Sequence, residues 1–166
     1  TGNQAYALQV LAEILGGSAT SRLYRGLVVE KGLAASAGAW YSPNRLDRGV
    51  FGLSLTPRPG IALGVAETAL AKEIRRLLKD GVTSAEISRA KNSLVAGAVY
   101  ARDSLSAAPN IIGGALATGQ TIASFEAWPD RINAVTREQV NDAARSVLVE
   151  ARSVTSVLRP KKAASK

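Results

Sequence analysis

Gly32 separates two incompatible periodicities, and that break constrains the fold more than any other feature of the chain. Before it, SATSRLYRGLVVEK (residues 18–31) reads as a short helix, with Ser18, Thr20 and Ser21 each able to cap its first turn through a hydroxyl oxygen. After it, Leu33 to Tyr41 is uncharged and ends in Trp-Tyr, which suits a strand. Glycine supplies the left-handed residue that closes a helix. Helix must give way to strand across one residue, so both a sheet and a helical layer are needed.

The flanking patterns extend this plan. Residues 4–15 place Leu8, Leu11 and Leu15 on one helical face beside Ile14, with Gly16 and Gly17 as the stop. Pro43 to Gly49 is a polar turn, and Val50 to Thr56 alternates Phe51, Leu53 and Leu55 on one side, so residues 34–56 form an antiparallel hairpin that Pro57 and Pro59 end. A helix over 61–79 buries Ala66, Leu70, Ile74, Leu77 and Leu78, and Gly81 closes it. Thr83 with Glu86 forms a capping box for a helix to about Asp103, with Ile87, Ala90, Leu94 and Ala98 inward. Helices follow over 105–118 and 124–133. Thr136 with Gln139 makes a second capping box for a helix ending near Val147, and Ser153 to Leu158 reads as a last strand. The class is α+β: an antiparallel sheet of three evident strands with helices on one face. Residues 1–160 form a single domain, and 161–166 a disordered basic tail.

Composition narrows function. A chain of 166 residues with 46% hydrophobic residues can bury a real core, and no Cys or His is present. Disulfides, thiol chemistry, imidazole bases and the usual zinc ligands are excluded together. The net charge is +8, but Arg159, Lys161, Lys162 and Lys166 supply four of those charges from the tail, and the rest are spread. That pattern suits a solvated surface better than a nucleic-acid face. The uncharged run Ser104–Phe125 is broken by Pro109, Gly113, Gly114 and Gly119, so it reads as a buried small-residue helix rather than a membrane anchor.

Candidate chemistry is sparse. Ser88-Arg89-Ala90-Lys91 fits S-x-x-K but lacks the partner motifs that nucleophilic chemistry needs, and an exposed helix face explains it. Gly60 with Gly64 and the pair Gly113-Gly114 lack a phosphate-cradle context. Glu126 and Asp130, at i,i+4, face water. No catalytic residue and no metal ligand is assigned.

Ser21-Arg22-Leu23-Tyr24, then Leu27, then Gly32-Leu33-Ala34 and Ser36, preceded by Leu15-Gly16-Gly17, carry a resemblance. The segment resembles S-R-L-Y-x-x-L-R-x-x-x-G-L-A-Y-S of the pitrilysin/insulinase (processing peptidase-like) zinc metallopeptidases, in their non-catalytic C-terminal half. Looser similarity runs from about Asn3 to Pro160. The resemblance implies that zinc sits in the other half, in a His-x-x-Glu-His motif this chain cannot hold. It also implies a first strand before the first helix. Nothing here supplies it, so the sheet edge is expected to be covered by dimerisation or by a longer neighbour.

The non-catalytic half of that family commonly offers an Arg and a Tyr seven residues apart to steady substrate and oxyanion. Gapless matching puts Val28 and Ala35 there, and neither side chain can donate. Arg22, Tyr24, Val28, Ala35 and Ser36 are the candidates for a substrate-facing or interface role.

The resemblance implies a non-catalytic wall of a zinc metalloendopeptidase chamber around an unfolded peptide. Its partners would be the N-terminal zinc-bearing half of the same polypeptide and a second homologous subunit supplying the Arg/Tyr pair, with no nucleic acid and no membrane. Location stays open, and the resemblance alone favours periplasm or export over cytoplasm. The alternatives are an inactive core subunit of the same fold and, on charge alone, a basic nucleic-acid-binding domain.

Overall fold

The computed structural model describes residues 3–43, 49–102 and 107–159. The Pro43–Gly49 turn falls mostly outside them, and so do the tail residues 161–166. Helix α1 (Asn3–Ala12) runs on into wide π-helical turns over Glu13–Gly17, and a second π-helical segment spans Tyr24–Glu30. Strands β1 (Ala34–Tyr41) and β2 (Phe51–Pro57) pair antiparallel. Five of the remaining helices are α2 (Leu63–Asp80), α3 (Ser84–Arg102), α4 (Ala107–Ala117), α5 (Ile122–Glu126) and α6 (Trp128–Ala134). Last comes α7 (Arg137–Val147), before a 3-10 turn at Glu150–Arg152.

The core forms where the apolar stripes meet. Leu11 and Leu15 from the first helix, Leu23 and Leu27 around the second segment, Leu77 of α2 and Ile132 of α6 are fully buried. Leu8 and Ile14 join them, as the helical spacing predicts, and so do Ile87 and Ala90 of α3. α1 packs on α7, and α3 on α6. Burying a leucine of this kind contributes about 1.5–3 kcal/mol, so the helical layer carries most of the stability.

β1 lies against this layer unusually closely. A Cβ on Gly16 would stand 1.8 Å from the Ala39 amide nitrogen, so the helix end and the strand touch main chain to main chain. Gly32 has φ +61°, the left-handed stop the sequence predicts. The hairpin turns Ala37, Ala39, Tyr41, Phe51, Leu53 and Leu55 toward the helices, but all six remain half-exposed. Two strands cover too little of the helical layer to bury them.

Three expectations need correction. Ser153–Leu158 is not a strand: it is exposed, and from Val154 to Leu158 it makes no hydrogen bonds among the described residues. The pattern is β-prone, but no neighbouring strand is present among the described residues. The helix read over 124–133 is two. Thr121 and Ser124 form a capping box that starts α5, and Ala127, ahead of Pro129, divides it from α6. Glu126 and Asp130 therefore stand on different helices. The hydroxyls of Ser18, Thr20 and Ser21 do not cap: Ser18 and Thr20 bond each other at 3.1 Å, and the Ser21 hydroxyl is buried without a partner. The boxes at Thr83–Glu86 and Thr136–Gln139 form as predicted.

Candidate functional site

The S-R-L-Y segment is used to build the fold. Arg22 forks onto Glu86, with Nε to Oε1 at 2.5 Å and Nη2 to Oε2 at 2.8 Å, and it also donates to the Gly81 carbonyl at 2.8 Å. Fixed bidentate geometry of this kind is what arginine provides and lysine does not. Burial alone would raise the Glu86 carboxyl. Hydrogen bonds from Arg22 and from the Thr83 amide and hydroxyl, with the Arg22 charge, outweigh it and hold the group at about 2. Tyr24 is half-buried against the core.

The other candidates fall in two environments. Val28 is 7% exposed, inside the core. Ala35 and Ser36 are exposed at the start of β1. The register slips between Ala34 and Ser36, so Ala35 is an extra residue with no partner on β2. Bulges of this type re-aim a side chain at sheet edges and beside active sites. Arg58, which the sequence reading passed over, ties the two regions together. It donates through Nη2 to the Val28 carbonyl and through Nε to the Ala34 carbonyl, each at 3.3 Å.

The sheet face turned away from the helices has three rungs: Ser36 with Thr56, Gly38 with Ser54, and Trp40 with Gly52. None carries a charge. Trp40, 46% exposed, lies flat over Gly52, where a Cβ would come within 2.2 Å of the indole. Its Nε1 makes no hydrogen bond among the described residues. On the other face, Tyr41 stacks on Phe51 with centroids 6.4 Å apart, and burial pushes the Tyr41 phenol up. The pairing of Trp40 with Gly52 was legible once the hairpin register was counted.

A polar cleft of about 350 Å³ opens between the end of α1 and α3, lined by Glu13, Ser18, Thr20, Ser21, Arg89 and Ser93 among others. Ser93 donates to Glu13 at 2.8 Å. No histidine is there to serve as the base of a serine nucleophile, since the chain has none. Lys91 of the S-x-x-K match donates to the Asn133 carbonyl at 2.8 Å, and Ser88 is exposed. A zinc ion does not fit this donor set. His and Cys are lacking, and no three acidic side chains cluster among the described residues. No described helix is long and apolar enough to cross a membrane.

Residues 2–94 match the family model described as the peptidase M16 inactive domain. The chain is 32% identical over 163 residues to an uncharacterised zinc protease of Streptomyces coelicolor, covering 98% of the chain and 35% of that relative. It is 28% identical over 146 residues to one of Bacillus subtilis, covering 87% of the chain and 35% of that relative. The chain thus spans about a third of the length of these relatives. Among solved structures, the inactive peptidase domain of a zinc protease from Bordetella parapertussis superposes with a TM-score of 0.85 at 21% identity, over 98% of this chain and 87% of that one. A peptidase M16 inactive domain from Pseudomonas fluorescens gives 0.70 at 26% identity, over 87% of this chain and 34% of that one. With its fold, its match over more than half its length and its missing zinc donors in agreement, the chain belongs to the peptidase M16 family as an inactive domain.

Proposed function

We propose that this domain forms one wall of a chamber that encloses an unfolded peptide, facing a zinc-bearing half elsewhere in the same polypeptide. One observation carries the reading: the sheet is covered by helices on one side, and the three rungs of its other side carry no charge and, apart from Trp40, only small or hydroxylated residues. Such a surface accommodates extended peptides of many sequences, because small and hydroxylated side chains neither clash nor demand a particular charge. The wall limits access by its shape, and the chemistry belongs to the other half.

Val28 and Ala35 supply no donor where the resemblance places an arginine and a tyrosine. Losing one oxyanion donor typically costs about 10²–10³ in rate. A second, homologous subunit therefore provides the pair. An inactive core subunit of the same fold is the second reading, favoured by the burial of Val28 as an ordinary core residue.

Ser54→Trp, in the middle rung of the open face, tests the wall. In the full-length polypeptide assayed with its partner, it should slow hydrolysis of long peptides by between about tenfold and a hundredfold while leaving the melting temperature unchanged. Undiminished hydrolysis would remove the wall. Equal hydrolysis with and without the partner would remove the second subunit, and none in either case would favour the inactive reading.

A further inference from the structure

Arg58 is a fixed cation without an acid. Its Nε and Nη2 are spent on the main-chain carbonyls of Ala34 and Val28, which position the guanidinium without neutralising it. Among the described residues no carboxylate lies within ion-pair reach of it, and it has no further hydrogen bonds through its side chain. A guanidinium has five N–H donors, so three remain for a ligand. The residue is exposed and stands two positions beyond Thr56, just past β2, at the Ser36–Thr56 end of the open face. Other cations near the sheet differ: Lys31 pairs with Glu73, and Arg22 with Glu86.

Trp40 marks the opposite end of this face. It is the one large apolar side chain on the three rungs, and it presents an open ring face and a free indole N–H. Its partner Gly52 stands six positions before Arg58. At about 3.3 Å per residue, the two features are roughly 20 Å apart. Only small or hydroxylated side chains lie between them.

We propose that Arg58 and Trp40 form a two-point site on the open face for an extended peptide bearing a carboxylate about six residues from an aromatic or large aliphatic side chain. The proposal rests on the chamber-wall reading and adds a substrate class to it. Charge complementarity selects the carboxylate: a pre-held guanidinium binds it with little loss of side-chain freedom. The indole selects the ring, since stacked aromatic pairs gain beyond the area they bury. A single-stranded nucleic acid would also stack on Trp40, but following its backbone takes a run of cations, and among the described residues Arg58 alone stands at this face.

The test uses dye-labelled eight-residue peptides carrying Glu and Phe six positions apart, in both chain directions, with Glu→Gln and Phe→Ala versions of each. Anisotropy is read against the full-length polypeptide and its Arg58→Gln, Arg58→Lys and Trp40→Ala variants. In one direction, removing the peptide Glu should weaken binding about tenfold in the parent and not in Arg58→Gln. Removing the peptide Phe should do so in the parent and not in Trp40→Ala. Because the peptide is changed as well as the protein, a folding defect cannot mimic this pairing. The proposal falls if neither peptide direction binds, or if both protein variants lose both peptide effects together. It falls equally if Trp40→Ala lowers only the melting temperature, which would make the ring a cover for Gly52. Oligothymidylate binding lost in both variants would assign the face to nucleic acid instead. The two readings fail separately. Paired effects alongside unchanged hydrolysis in Ser54→Trp would retain the site and remove the wall, and the reverse would retain the wall alone.

Discussion

Glu86 shows how one carboxylate can serve two parts of the fold. It caps α3 through Thr83 and anchors Arg22, which reaches it from the far side of the chain. Its carboxyl is held at about 2, below the ordinary value of 4.5. The unfolded chain therefore binds that proton at higher pH than the native one. Stability should be level above about pH 5 and fall by on the order of 2 kcal/mol between about pH 5 and pH 2. Urea denaturation across that range checks it, and Glu86→Gln should be less stable near pH 7 and lack this component of the slope. The sequence revealed Glu86 as a cap, because Thr-x-x-Glu is local. It concealed the partnership with Arg22, 64 residues away, since a resemblance to a segment says nothing about which residue it will meet.

At the scale of elements, most of the local signals were read correctly, and the long-range pairings were not. Both capping boxes, the glycine stop and the hairpin follow from residues a few positions apart. The break between α5 and α6 was also written locally, in Thr121, Ser124 and Pro129, but the apolar run hid it. Ser153–Leu158 failed for another reason: alternation describes a strand only when a neighbour pairs with it. Val154 is 97% exposed, and Leu158 fully so. α7 begins with a complete capping box. Thr136 accepts from the Gln139 amide at 3.2 Å, and Gln139 reaches back to the Thr136 amide at 2.9 Å. Thr136→Ala should cost about 1 kcal/mol, measured by chemical denaturation, and Thr136→Ser should recover most of it.

For the whole molecule, the half-exposed inner residues of the hairpin and the bare segment after the 3-10 turn describe the same need. Both want another strand, whether from a second copy or from a longer neighbour. The 166-residue chain should self-associate as concentration rises, and sedimentation showing one monomeric species throughout would end that expectation. The architecture itself, helices against one side of an antiparallel hairpin, was legible because the pattern switches at Gly32. The open face was not, since its meaning depends on what the helices leave uncovered. The contact of Gly16 with Ala39 leaves no side chain between the first helix and the strand that bears Trp40. With no rotamer there to absorb displacement, a tilt of that helix must carry the strand along, so the surface offered to a peptide keeps its contour only while the interior beneath it stays put.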